Sequence, residues 1–130
     1  MAWESPGLTI SLPCVTTGLK RYQYGSITTG GAVVACTTDL IPVGIIQDGS
    51  TGSTVLPEAV SVMVSGVSKL VLDSASTVGV GQLISASTVG GKTSVAGDFV
   101  AGLIIAGTSG GADRVVSVLL AAPNYSTAIA

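Results

Sequence analysis

Protein chemistry is carried by groups that titrate, coordinate or attack, and this chain holds few of them. It has no histidine, which excludes a Ser-His-Asp or Cys-His site outright. Cys14 and Cys36 are its only cysteines, and two thiols without an imidazole cannot close a tetrahedral zinc site. Asp39, Asp48, Asp73, Asp98 and Asp113 each stand beside Gly, Ser, Thr or Ala, where capping a turn is the ordinary job of an aspartate. None belongs to a dense loop of oxygen ligands. Gly91-Lys92-Thr93 imitates the end of a phosphate-binding loop, but the full pattern needs a glycine at position 86, which is Ala. The reading there is a hairpin turn with an exposed lysine. No catalytic residue, metal ligand or cofactor site is assigned, and an enzyme is not expected.

The elements around these residues are built for burial. Hydrophobic residues make up 47% of the 130, mostly Val, Ala, Leu and Ile rather than aromatics, and charged residues only 9%. That length suits one domain able to bury a core without staples. The net charge is −2 and the pI about 4.6, and Lys20, Arg21, Lys69, Lys92 and Arg114 are scattered, so no nucleic-acid footprint is expected. The apolar runs, such as 118–122, are too short for a spanning helix. One Trp, three Tyr and one Phe cannot supply the two aromatic girdles of a membrane barrel. Residues 1–6 carry no basic or apolar leader pattern. Synthesis in a reducing cytosol with free, buried thiols is therefore expected.

The local signal is β almost throughout. Segments 8–12, 22–28, 32–36, 43–47, 60–65, 69–72, 82–85, 93–95, 99–105 and 114–120 read as strands, with Gly30-Gly31, Asp48-Gly49, Gly90-Gly91 and Gly110-Gly111 as turns between them. Roughly ten short strands predict an all-β fold, a small barrel or sandwich. Ser74-Ala75-Ser76-Thr77-Val78-Gly79 recurs as Ser85-Ala86-Ser87-Thr88-Val89-Gly90, two copies being too few for a solenoid. More informative is a resemblance between halves. Val43-Gly44-Ile45-Ile46 precedes a loop and the strand at 60–64; Ala101-Gly102-Leu103-Ile104-Ile105 precedes a loop and the strand at 115–120. With 32–36 matched to 82–85, the chain reads as two similar β-units closing one small barrel between them.

The order of these elements over residues 22–120 resembles the capsid cement, or head decoration, proteins of tailed phages. The residues concerned are Gly31-Ala32-Val33-Val34, Pro42-Val43-Gly44-Ile45-Ile46, Val60-Ser61-Val62-Met63-Val64-Ser65-Gly66-Val67, Val78-Gly79-Val80-Gly81-Gln82-Leu83, Gly91-Lys92-Thr93-Ser94, Ala101-Gly102-Leu103-Ile104-Ile105 and the closing Arg114-Val115-Val116-Ser117-Val118-Leu119-Leu120. The resemblance implies a small β-rich virion protein on the outer surface of an icosahedral head. Such a protein would be made in the host cytoplasm, bind the major capsid protein and associate with itself, as a trimer or dimer. This chain carries few charges, an additional apolar segment at 8–12 and a tail after residue 122. A low-charge, Gly/Ser/Thr-rich chain with arms also fits a self-assembling extracellular fibre or surface-layer subunit, which would need an export signal.

Residues 1–21 and 122–130 read as arms flanking a decoration domain at 22–121. Trp3 and Tyr125 lie in the arms, either as interface anchors or folded back on their own domain. Leu8, Ile10 and Leu12 alternate as if to add a strand to a neighbour's open edge. With Arg21 these make the expected capsid or subunit interface. The loops 48–54 and 108–113 are the other candidates for docking.

Overall fold

Alternation of apolar and polar residues dictates the strands. In the segment from Val60 to Met63, Val60 and Val62 are sealed in one core while Ser61 between them is turned away, the two-residue period of a pleated strand. The computed structural model describes residues 4–14, 19–37, 40–48, 58–73, 79–87, 90–94, 98–107 and 115–125, the last five through their backbone. The described residues form eleven strands and no helix. These are β1 (Ser5–Pro6), β2 (Thr9–Cys14), β3 (Tyr24–Ile27), β4 (Val33–Ala35), β5 (Gly44–Ile46), β6 (Glu58–Met63), β7 (Gly66–Val71), β8 (Leu83–Ala86), β9 (Gly91–Thr93), β10 (Phe99–Ala106) and β11 (Val115–Tyr125).

The strands make two antiparallel sheets. One has five strands in the order β2-β6-β5-β3-β4, the other six in the order β1-β7-β11-β10-β8-β9. Leaving β1 aside, the two orders are one topology used twice, with β2 to β6 matching β7 to β11 in turn. Registers repeat with it. Ile45 lies opposite Met63 and Ile46 opposite Val62; Leu103 lies opposite Leu119 and Ile104 opposite Val118. The strands Ala59-Val60-Ser61-Val62-Met63 and Val115-Val116-Ser117-Val118-Leu119 thereby become equivalents.

Even the strand entries match. The Gln23 carbonyl accepts from Ile46 N at 2.9 Å and the Gln82 carbonyl from Ile104 N at 3.0 Å. Gln23 Oε1 accepts from Lys20 N at 2.5 Å, and Gln82 Oε1 from Gly79 N at 2.6 Å. The residue before each glutamine is left-handed, Tyr22 at φ 66° and Gly81 at φ 89°.

The glycines that signal the repeat have a steric reason. A Cβ on Gly44 would fall onto the Met63 carbonyl oxygen, and one on Gly102 would meet Leu119 O at 3.0 Å and Tyr24 Oη at 3.1 Å. A branched residue at either place would push the neighbouring strand away.

Four expectations change. The halves do not close one barrel between them: each builds its own sheet, and neither sheet is a closed hydrogen-bonded barrel. The second is drawn round only to a single bridge between Leu72 and Gly91. The matching of 32–36 with 82–85 is also shifted, since topology makes β3 the partner of β8 and β4 the partner of β9. The N-terminal segment 1–21 is not an arm where it is described. β2 pairs with β6 over all six residues, β1 pairs with β7, and Cys14 and Leu19 are buried. The free edge of β6 and the apolar side of β2 satisfy each other within one chain. At the other end β11 runs on to Tyr125, opposite Phe99, so the tail expected from residue 122 begins as strand.

Two clusters form the core. The first, around Cys14, Val33, Ile46, Val60 and Val62, belongs wholly to the first unit. The second gathers Leu70, Leu72, Ile84, Ile104, Val116 and Val118 of the second unit and also takes in Tyr24, Cys36 and Ile45 of the first. One face of the first sheet therefore packs on the second sheet, as in a sandwich.

Candidate interaction surface

The joint between the units centres on Tyr22. Its N–H donates to Ile46 O at 2.8 Å and its carbonyl accepts from Val71 N at 2.9 Å, so one left-handed residue ties β5 to β7. The Arg21 guanidinium stacks 4.5 Å from the centre of its ring and the Lys69 ammonium lies 5.9 Å away, a cation–π arrangement. Desolvation raises the phenol's pKa above its ordinary value, the Glu4 carboxylate raises it further by charge and by a hydrogen bond, and Arg21 partly opposes this. Beside it Gln47 Nε2 donates to Ser68 Oγ at 2.9 Å. Arg21, expected at an outer interface, is exposed but already stacked on its own chain.

The remaining expected interface residues separate. Leu8 is 58% exposed, with its backbone tied down: its N donates to Ser65 Oγ at 2.9 Å and its carbonyl accepts from Val64 N at 2.9 Å. Ile10 and Leu12 are half-buried against the first core, a place the alternation signalled without saying whose core it was. Trp3 lies outside the described residues. Tyr125 is placed by backbone alone, at the end of β11. Of the two loops named as alternatives, 49–54 and 108–113 also lie outside the described residues, and the described Asp48 uses Oδ1 to accept from Ser61 N at 2.9 Å.

The surface that sequence reading missed lies on the outer side of the second sheet. Leu103 stands opposite Leu83 on one side and Leu119 on the other, and Leu119 opposite Val67, giving an apolar row across four adjacent strands. Leu83 is 39% and Leu119 44% exposed. Ser85 Oγ donates to Ser94 Oγ at 2.9 Å and Lys92 pairs with Asp98 at 3.1 Å, so the polar groups near β9 are engaged with one another.

Where the units meet, Tyr24, Pro42, Val43, Gly44, Val64, Ala101 and Leu120 line a crevice of about 10 Å³, room for one water and not for an organic ligand. Tyr24 Oη is buried without a hydrogen-bond partner, and burial drives its pKa far above the usual phenol range, with a smaller push from Cys36. Both cysteines are buried, and no disulfide joins them. They lie in different clusters, and Cys36 Sγ donates to Thr37 O at 3.3 Å and Leu40 O at 3.4 Å. Burial pushes the Cys36 thiol up to about 12. Among the described residues no group of three or more Cys, Asp or Glu is placed to hold a metal ion, and no helix is long and apolar enough to cross a membrane.

Comparison with protein families, with curated proteins and with solved structures finds no match to this chain. What the arrangement offers is rigid sheet area with apolar side chains exposed on it and few charges to desolvate.

Proposed function

We propose that the protein is a virion structural protein. It binds the outer surface of an icosahedral phage head, reinforces contacts between major capsid protein subunits, and associates with itself, a trimer being the form the family resemblance favours. The observation that carries this reading is a framework of two packed sheets that leaves large apolar side chains open, Leu119 at 44% exposure on β11 and Leu8 at 58% and Ile41 at 57% in the connections beside the strands. Surfaces of this kind gain from contact because burying them strands few charges. A shell repeats each contact many times, so modest individual affinities suffice. Neither nucleic acid nor membrane is a partner in this reading.

The test is binding of the purified chain to expanded phage heads that lack it. Saturable uptake at a fixed number of copies per head, with a rise in the temperature at which heads rupture, supports the reading. Heads that neither take up the chain nor gain stability contradict it.

A further inference from the structure

We propose that the outer row Leu83, Leu103 and Leu119 is the docking surface for a second copy of this chain, which covers it head to tail with the half-open inner side of its own β2 at Ile10 and Leu12. The proposal deepens the self-association part of the reading above and rests on that part, not on capsid binding.

The internal repeat already contains such a contact. Tyr24, Ile45 and Met63 are the first unit's equivalents of Leu83, Leu103 and Leu119, set by the same register. All three are buried, at 0%, 0% and 2% exposure. Tyr24 and Ile45 are covered by the inner side of the second unit, in one cluster with Leu70 of β7 and Leu72 just beyond it, and Gln47 bonds Ser68 on the same side. The chain thus displays one complete contact: the outer row of one unit against the inner side of the next unit's first strand.

Both halves of that contact recur unpaired at the ends of the chain. In the second unit's row Leu83 and Leu119 are exposed and Leu103 is half-buried. The first unit's counterparts of Ser68 and Leu70 are Ile10 and Leu12, fixed by pairing with Val62 and Val60 where Ser68 and Leu70 pair with Val118 and Val116. Ser68 and Leu70 are fully covered, whereas Ile10 and Leu12 are only half-buried. A second copy placed by the same contact covers the open row with the half-open strand, apolar against apolar. Such a contact is heterologous, so it builds a ring if the rotation closes and a filament if it does not.

The test joins the two sides covalently. Leu12→Cys and Leu103→Cys are made as separate full-length variants, checked for folding by circular dichroism, and treated with a short bis-maleimide linker alone and after mixing. Ile10→Cys replaces Leu12→Cys if the latter fails to fold. A cross-linked dimer in the mixture, and in neither variant alone, is the expected result; the wild type, whose thiols are buried, is the control. Sedimentation velocity should show the wild type above monomer mass and Leu119→Asp dissociating at least about tenfold more readily. A wild type that stays monomeric at about 100 μM, well above the dissociation constants of specific interfaces, overturns the proposal. So does Leu103→Cys cross-linking to itself, or an oligomer whose mixed variants do not cross-link. No heads are used, so failure here leaves capsid binding standing, and failure of capsid binding leaves this contact standing.

Discussion

Tyr24, Ile45 and Met63 in the first sheet and Leu83, Leu103 and Leu119 in the second hold the same places in the same topology, yet the first three are buried, whereas Leu83 and Leu119 are exposed and Leu103 is half-buried. Side-chain type does not explain the difference, since both rows are apolar. Position in the chain does. The first unit has the second beside it, and among the described residues no equivalent unit lies against the outer row of the second. Contact between the units therefore covers one row and leaves the other with Leu83 and Leu119 exposed, the row that the proposed second copy would cover.

The largest expected effect breaks the comparison at its base. Deleting residues 4–14 removes β1 and β2, strips β6 of a six-residue ladder and opens the first core. Because Tyr24, Cys36 and Ile45 complete the second core, both units should lose cooperative unfolding together in a thermal melt. A second unit that still melts cooperatively would show the sheets to be independent.

Next is Gly44→Val. Its side chain would be driven against the Met63 backbone, and overpacking of this kind costs about 1–3 kcal/mol or more. Gly79, with nothing within 4 Å of a built Cβ, is the control, and Gly79→Ala should stay within about 0.5 kcal/mol in urea titrations.

The thiol sharpens the comparison through pH. Cys36 occupies the place of Ser94, each donating its N–H to the residue that begins the row, Tyr24 or Leu83. The folded chain keeps the Cys36 proton until about 12, while an unfolded thiol gives it up near 8.5. Stability from this group is therefore complete below about pH 8.5 and declines above it toward pH 12, by up to about 1.4 kcal/mol per pH unit. Cys36→Ser should flatten that decline in denaturant titrations between pH 8 and 10.

The smallest effect is Tyr24→Phe. Tyr24 Oη has no partner, so removing it should leave stability unchanged or raise it by up to about 1 kcal/mol. A clear loss in urea titrations would reveal a hydrogen bond that the phenol makes in solution.

Much of this fold is legible in the sequence. Val43-Gly44-Ile45-Ile46 and Ala101-Gly102-Leu103-Ile104 announce equivalent strands because a glycine is needed where the neighbouring strand crowds in. Strand positions follow from two-residue alternation, as at Val60 and Val62. What alternation cannot say is which sheet a strand joins, so Leu8, Ile10 and Leu12 read equally as an arm for a neighbour or as the chain's own edge. The full repeat is hidden because its markers differ in type: Tyr22 and Gly81 share only a backbone conformation, and Cys36 and Ser94 only a hydrogen bond. Exposure of the second row was not legible at all, because Leu83, Leu103 and Leu119 carry the same apolar signature as their buried counterparts.

The most direct measurement compares two equivalent truncations, Met63→Ala and Leu119→Ala, by urea unfolding at sub-micromolar concentration. Met63→Ala should cost about 2–5 kcal/mol, as for a buried side chain, and Leu119→Ala under about 1 kcal/mol. The second loss should grow as protein concentration is raised and copies cover the row. Equal losses at low concentration would contradict the claim that one row is sealed within the chain and the other kept open for a partner.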